Sequence, residues 1–111
     1  MLENQTQLSA DEQHLAETFH PLPPTVDAVL AERGKRYGSF TGHAAITQAL
    51  KDVMRKAPNW DKLAPDQKEA LEMNAHKVGR ILNGDPDYDD SWVDIAGYSK
   101  LVADRLQGVV R

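Results

Sequence analysis

Nowhere in this chain do apolar and polar residues alternate for long enough to make a strand. Apolar residues recur instead every three or four positions, the spacing of one helix face. That pattern removes a sheet as the organising element and predicts an all-α fold, a compact helical bundle of about four core helices with an N-terminal helical arm. At 111 residues the chain suits one domain, able to bury roughly two-thirds of its unfolded surface.

Punctuation divides the pattern. Ser9 and Glu12 have capping-box spacing, and Leu8, Leu15, Ala16 and Phe19 predict a short amphipathic helix. Pro21, Pro23 and Pro24 then enforce an extended linker, so residues 1–24 read as an arm and residues 25–111 as the helical domain. Thr25 is expected to cap a short helix bearing Val26, Val29 and Leu30, with Gly34 as its stop. The stretch Arg33–Gly42 reads as a basic, glycine-punctuated loop. A helix over 42–57 follows, with Ile46, Ala49, Leu50, Val53 and Ala57 on one stripe. Trp60 and Leu63 are expected to be buried in a connector. Pro65 opens a helix running to Leu82, closed by Asn83-Gly84. After the acidic loop DPDYDD, a last helix is expected over Ser91–Leu106, burying Trp92, Ile95, Ala96, Ser99, Val102, Ala103 and Leu106.

Charge narrows the function. Thirteen Lys+Arg against seventeen Asp+Glu leave a formal charge of −4, which argues against bulk nucleic-acid binding. It leaves room for a small nucleotide held through a metal. The absence of cysteine removes disulfide frameworks, thiolate zinc sites and cysteine nucleophiles. No apolar run approaches the roughly 20 residues of a membrane span, and the first residues lack the basic flank and apolar run of a secretory signal. A cytoplasmic protein without a membrane partner is expected.

The chemistry concentrates on the helix after Pro65. Leu71, Ala75, Val78 and Leu82 fall on one side; Glu69, Glu72, His76 and Arg80 fall within about 80° of one another on the other. Two carboxylates one turn apart can reach the same divalent cation, and an oxygen-rich set suits Mg²⁺ or Mn²⁺. The plainer reading is a solvated charged face. On the last helix Asp90 and Asp94 lie at the margin of the apolar arc, with Tyr98 on the same flank. Antiparallel packing of the two helices would turn these acids toward Glu69 and Glu72; the alternative is an Asp94 paired to a neighbouring Lys or Arg. In the basic stretch, Arg33, Lys35 and Arg36 suit phosphates and Tyr37 suits a base, against a plain capped turn with solvated charges. Two other motifs fail. Asp85-x-Asp87-x-Asp89 lacks the Gly and closing Glu of a calcium loop, having Asp90 and Ala96 there. His14, His20, His43 and His76 show no zinc spacing.

Glu69-Ala-Leu-Glu72, His76-Lys77-Val-Gly-Arg80-Ile81 and Asp90-Ser-Trp-Val-Asp94-Ile-Ala-Gly-Tyr98 together resemble the MazG-like superfamily of all-α nucleoside triphosphate pyrophosphohydrolases. The likeness spans roughly residues 28–106 and is nearest to small phage and prophage members. That superfamily holds Mg²⁺ with Glu-Glu-x-x-Glu on one helix and Glu-x-x-Asp on the next. Glu69, Glu72 and Asp94 match three of those acids; Lys68 and Ser91 stand at the other two, with Asp90 beside Ser91 as a substitute. The resemblance implies a Mg²⁺- or Mn²⁺-dependent cut between the α- and β-phosphates of a (deoxy)nucleoside triphosphate, giving monophosphate and pyrophosphate. Glu69, Glu72 and Asp94 would be catalytic, with Asp90 a further metal ligand. Lys77, Arg80, Tyr98, Arg36, Tyr37 and His76 would contact the nucleotide. It also implies a homo-oligomer, dimer or tetramer, in the host cytoplasm if phage-encoded. The alternative reading of the incomplete acid set is a protein that binds a nucleotide, a signalling nucleotide included, without cleaving it.

Overall fold

The computed structural model describes residues 25–111, and the arm helix and proline linker expected over residues 1–24 lie outside them. Among the described residues the chain is all-α. Its helices are α1 (Val26–Tyr37), α2 (Phe40–Arg55), α3 (Pro65–Asn83) and α4 (Asp90–Leu106), with a 3₁₀ turn at Trp60–Lys62 between α2 and α3. None of these helices is long and apolar enough to cross a membrane.

The basic stretch is a helix end rather than a loop. Thr25 caps α1 as expected, its hydroxyl accepting from the Ala28 N–H at 3.1 Å. Gly34 does not stop α1, which runs one turn further until Gly38, at φ 74°, donates its N–H back to the Gly34 carbonyl. Ser39 immediately caps α2 by accepting from the Gly42 N–H. Lys35 and Arg36 therefore lie in the last turn of α1, where the negative end of the helix dipole favours them. One side chain fixes this corner. The Asn83 amide nitrogen donates to the carbonyls of Tyr37 (2.7 Å) and Ser39 (2.8 Å), tying the end of α3 to the α1–α2 turn.

α3 lies between α2 and α4 and runs antiparallel to both. Toward α2 it pairs Glu72 with Arg55, His76 with His43, and Asn83 with the start of α2. Toward α4 it pairs Asp66 with Arg105, Asn74 with Ser99 and Lys77 with Asp94. The main helix packing is α2 on α3 and α3 on α4, giving a layer of helices with α3 at its centre.

That arrangement corrects the expected core. Among the described residues only Ala70 and Ala75 are fully buried apolar side chains. Of the α3 stripe Ala75 is buried, but Leu71 and Leu82 are exposed; on α2, Val53, Ala49 and Ala57 are exposed. On α4 the expected arc splits. Ile95 and Val102 are half-buried, while Trp92, Ala96, Ser99, Ala103 and Leu106 face outward. Trp60 and Leu63 are half-buried. The buried polar groups are His43, Thr47, Lys77, Ser91 and Asp104. Periodicity identifies which residues favour cover, but not which face a neighbouring helix takes. Here α2 docks on the side of α3 that carries Glu72, His76 and Gly79. Gly79 permits it: a Cβ there would collide with the Thr47 hydroxyl and lie 2.9 Å from His43 Cδ2.

Candidate functional site

The antiparallel register of α3 and α4 decides where the acids go. It sets Asp94 against Lys77, whose ammonium is 2.9 Å from the Asp94 carboxylate and whose side chain is only 11% exposed. Glu72 faces the other way, toward α2, bonded to Arg55 at 3.0 Å and within 3.8 Å of Lys51. Glu69 is exposed on the rim of a depression of about 590 Å³, shared with Asp66, Tyr98, Leu101 and Arg105. Asp90 is exposed in the first turn of α4. Among the described residues no group of three or more His, Asp or Glu side chains is placed to hold one metal ion. The donor set expected for Mg²⁺ or Mn²⁺ does not fit one ion within a single chain, because Glu72 faces α2 and Asp94 meets α3 from the other side, each paired with a cation there.

The basic and aromatic residues do converge. A cleft of about 430 Å³ opens where the end of α1 meets α2 and the C-terminal half of α3, lined by Arg33, Tyr37, Phe40, His43, His76 and Arg80 among others. Among the described residues no carboxylate lines it. The Arg80 guanidinium carbon lies over the Tyr37 ring, 4.1 Å from its centroid, a cation–π contact that holds a cation at the wall of the cleft. Phe40 is 79% exposed at the mouth, its ring 6.2 Å from that of His43. His43 donates from Nε2 to the His76 carbonyl at 2.9 Å, and the two imidazoles meet edge to face at 4.5 Å. Burial first, and then the charges of His43, Arg80, Lys77 and Lys51, hold His76 down at about 4. His76 is therefore neutral at pH 7, with one ring nitrogen a donor and the other an acceptor.

Residues 22–106 match the family described as domain of unknown function (DUF6378). The chain belongs to this family. No curated protein and no solved structure matches it.

Of the residues expected to contact a nucleotide, the DUF6378 chain brings Tyr37, His76 and Arg80 into the cleft. Arg36 leans the other way, stacked 4.2 Å over Tyr88 and 3.6 Å from Glu32. Lys77 is held by Asp94, and Tyr98 lies in the depression beside Glu69. Phe40 and His43 were not legible as cleft residues. Phe40 reads as part of a loop until α2 is seen to begin there. His43 shows its role only once α2 docks on α3 beside Gly79 and the His76 carbonyl. Asn83 reads as a helix stop, and it is one; its second role, holding the turn that shapes the cleft, has no local signature.

Proposed function

We propose that this chain is a nucleotide-binding protein that takes its ligand in the cleft between α1, α2 and α3. The observation that carries the reading is the Arg80 guanidinium over the Tyr37 ring beside Arg33 and a neutral His76, in a cleft to which the described residues bring no carboxylate. In a protein of net charge −4, such a pocket is a local site for an anion with a flat apolar part. Arg33 and Arg80 supply the donors for phosphate oxygens. Phe40 and Leu30 supply apolar surface for the base, and the neutral imidazole of His76 offers one donor or acceptor to a base or ribose edge. The resemblance to nucleoside triphosphate pyrophosphohydrolases favours a nucleotide among such anions.

Retention is favoured over turnover. A pyrophosphohydrolase needs Glu69, Glu72, Asp90 and Asp94 around metal, and within one chain Glu72 and Asp94 are already ion-paired with Arg55 and Lys77. Product analysis separates the two. Incubation with nucleoside triphosphates and Mg²⁺ or Mn²⁺ is expected to return the nucleotide intact. Monophosphate and pyrophosphate in a chelator-sensitive reaction would assign the hydrolase instead.

A further inference from the structure

Which nucleotide the cleft can keep depends on how many positive charges reach it. All thirteen Lys and Arg residues of the chain stand at or after position 33, so every one is among the described residues. Seven of them are already paired with Glu or Asp, Arg36 and Lys77 included. Of the other six, only Arg33 and Arg80 line the cleft. His76 beside them is neutral at pH 7 and adds no third charge.

Two guanidiniums suit one phosphoryl group. A phosphate monoester carries about −1.5 to −2 at pH 7, and each planar guanidinium presents paired N–H donors to its oxygens. Every further phosphate adds negative charge that no lysine or arginine of the cleft is left to offset. Nor do the described residues bring a carboxylate to the cleft that would hold a divalent cation against those phosphates.

The acidic loop between α3 and α4 acts in the same direction. The Asp85 N–H donates to the Arg36 carbonyl at 2.8 Å, and the Tyr88 ring centroid lies 6.2 Å from that of Tyr37. Residues 85–90 therefore stand beside the wall formed by Tyr37 and Arg80. Asp85, Asp87, Asp89 and Asp90 are all exposed there, and none is ion-paired among the described residues. A phosphoryl group between Arg33 and Arg80 has its charge offset at close range. A longer phosphate chain passing Tyr37 would approach four carboxylates, and that repulsion grows as ionic strength falls.

We infer that the cleft selects a nucleoside monophosphate over the corresponding di- and triphosphate, with Arg33 and Arg80 on its one phosphoryl group and the acidic loop repelling any longer phosphate chain. The inference rests on the nucleotide-binding reading and says which nucleotide that site keeps.

Calorimetric titration of the full chain tests it, with AMP, ADP and ATP and with the guanosine, cytidine and thymidine series, in chelator at one low ionic strength. For whichever base binds, the monophosphate is expected to bind about tenfold or more tightly than the triphosphate. Asp87→Asn combined with Asp89→Asn removes two charges at exposed positions. The double variant is expected to narrow that ratio severalfold, chiefly by strengthening triphosphate binding, with helix content unchanged. A triphosphate bound as tightly as its monophosphate, or a ratio unmoved by the double substitution, overturns the inference and leaves the nucleotide-binding reading standing. No binding by any member of any series overturns both.

Discussion

The Lys77 ammonium sits 2.9 Å from the Asp94 carboxylate, at the boundary where α3 meets α4. That one contact accounts for much of what the acidic pattern does here. An acid on the margin of an apolar arc can face a metal or a buried lysine, and the register gives it the lysine. Asp94→Asn is expected to leave a nearly buried ammonium without its counter-charge and to lower stability by about 2 kcal/mol, less than the full cost of breaking a buried pair because Asp94 is itself partly exposed. Urea denaturation measures it. Lys77→Met on the same background should restore part of the loss, and an unchanged midpoint in Asp94→Asn would show that the pair contributes nothing.

Gly79→Ala separates helix propensity from packing. In an isolated helix the change gains about 1 kcal/mol. Here the added methyl would meet the Thr47 hydroxyl and the His43 ring, and overpacking of this kind costs about 1–3 kcal/mol. The expected net result is destabilisation, relieved when Thr47→Ala removes the opposing hydroxyl. A melting temperature raised by Gly79→Ala alone would mean that α2 does not approach α3 so closely.

His76 sets a pH dependence. In the unfolded chain it takes a proton near 6.5, whereas in the folded chain burial and its positive neighbours hold it down at about 4. Between these values the unfolded chain binds the extra proton, so stability rises with pH across this window and is lost as pH falls from 6.5 toward 4. Asp66 and Asp104, both held below the usual 3.8 by hydrogen bonds from Arg105 and from Arg111 and Lys100 respectively, lose their contributions only at lower pH. Denaturation midpoints between pH 7 and 4.5 should fall, and His76→Gln should flatten that slope. A His76 imidazole that titrates near 6.5 by NMR would contradict the account.

Helix existence was legible in the sequence because capping and punctuation are local. Thr25, Pro65 and the Asn83-Gly84 stop act where the pattern places them. Gly34 was misleading because glycine ends a helix only if the next turn has no better exit, and Gly38, locked under Asn83, is that exit. The faces were less legible. Leu71, Leu82, Trp92 and Leu106 form proper apolar stripes, yet the neighbours of α3 are chosen by Gly79, by Glu72 with Arg55, and by Lys77 with Asp94. Those are pairings between distant segments, and no single stretch of chain displays them. The candidate site followed the same rule. Tyr37, His76 and Arg80 stood out as individual residues, but their convergence depends on the length of α1 and on the Asn83 clamp.

Nucleotide binding in the Arg33–Arg80 cleft is tested by isothermal titration calorimetry of the full chain with nucleoside triphosphates, with Mg²⁺ and with chelator. At least one nucleotide is expected to bind with one site per chain and to remain bound in chelator. Arg80→Ala is expected to weaken that binding about tenfold or more while leaving the fold intact, as the loss of a charge-assisted contact of about 1.5–3 kcal/mol requires. No binding by any nucleotide, or binding that survives Arg80→Ala and Arg33→Ala unchanged, would contradict the claim.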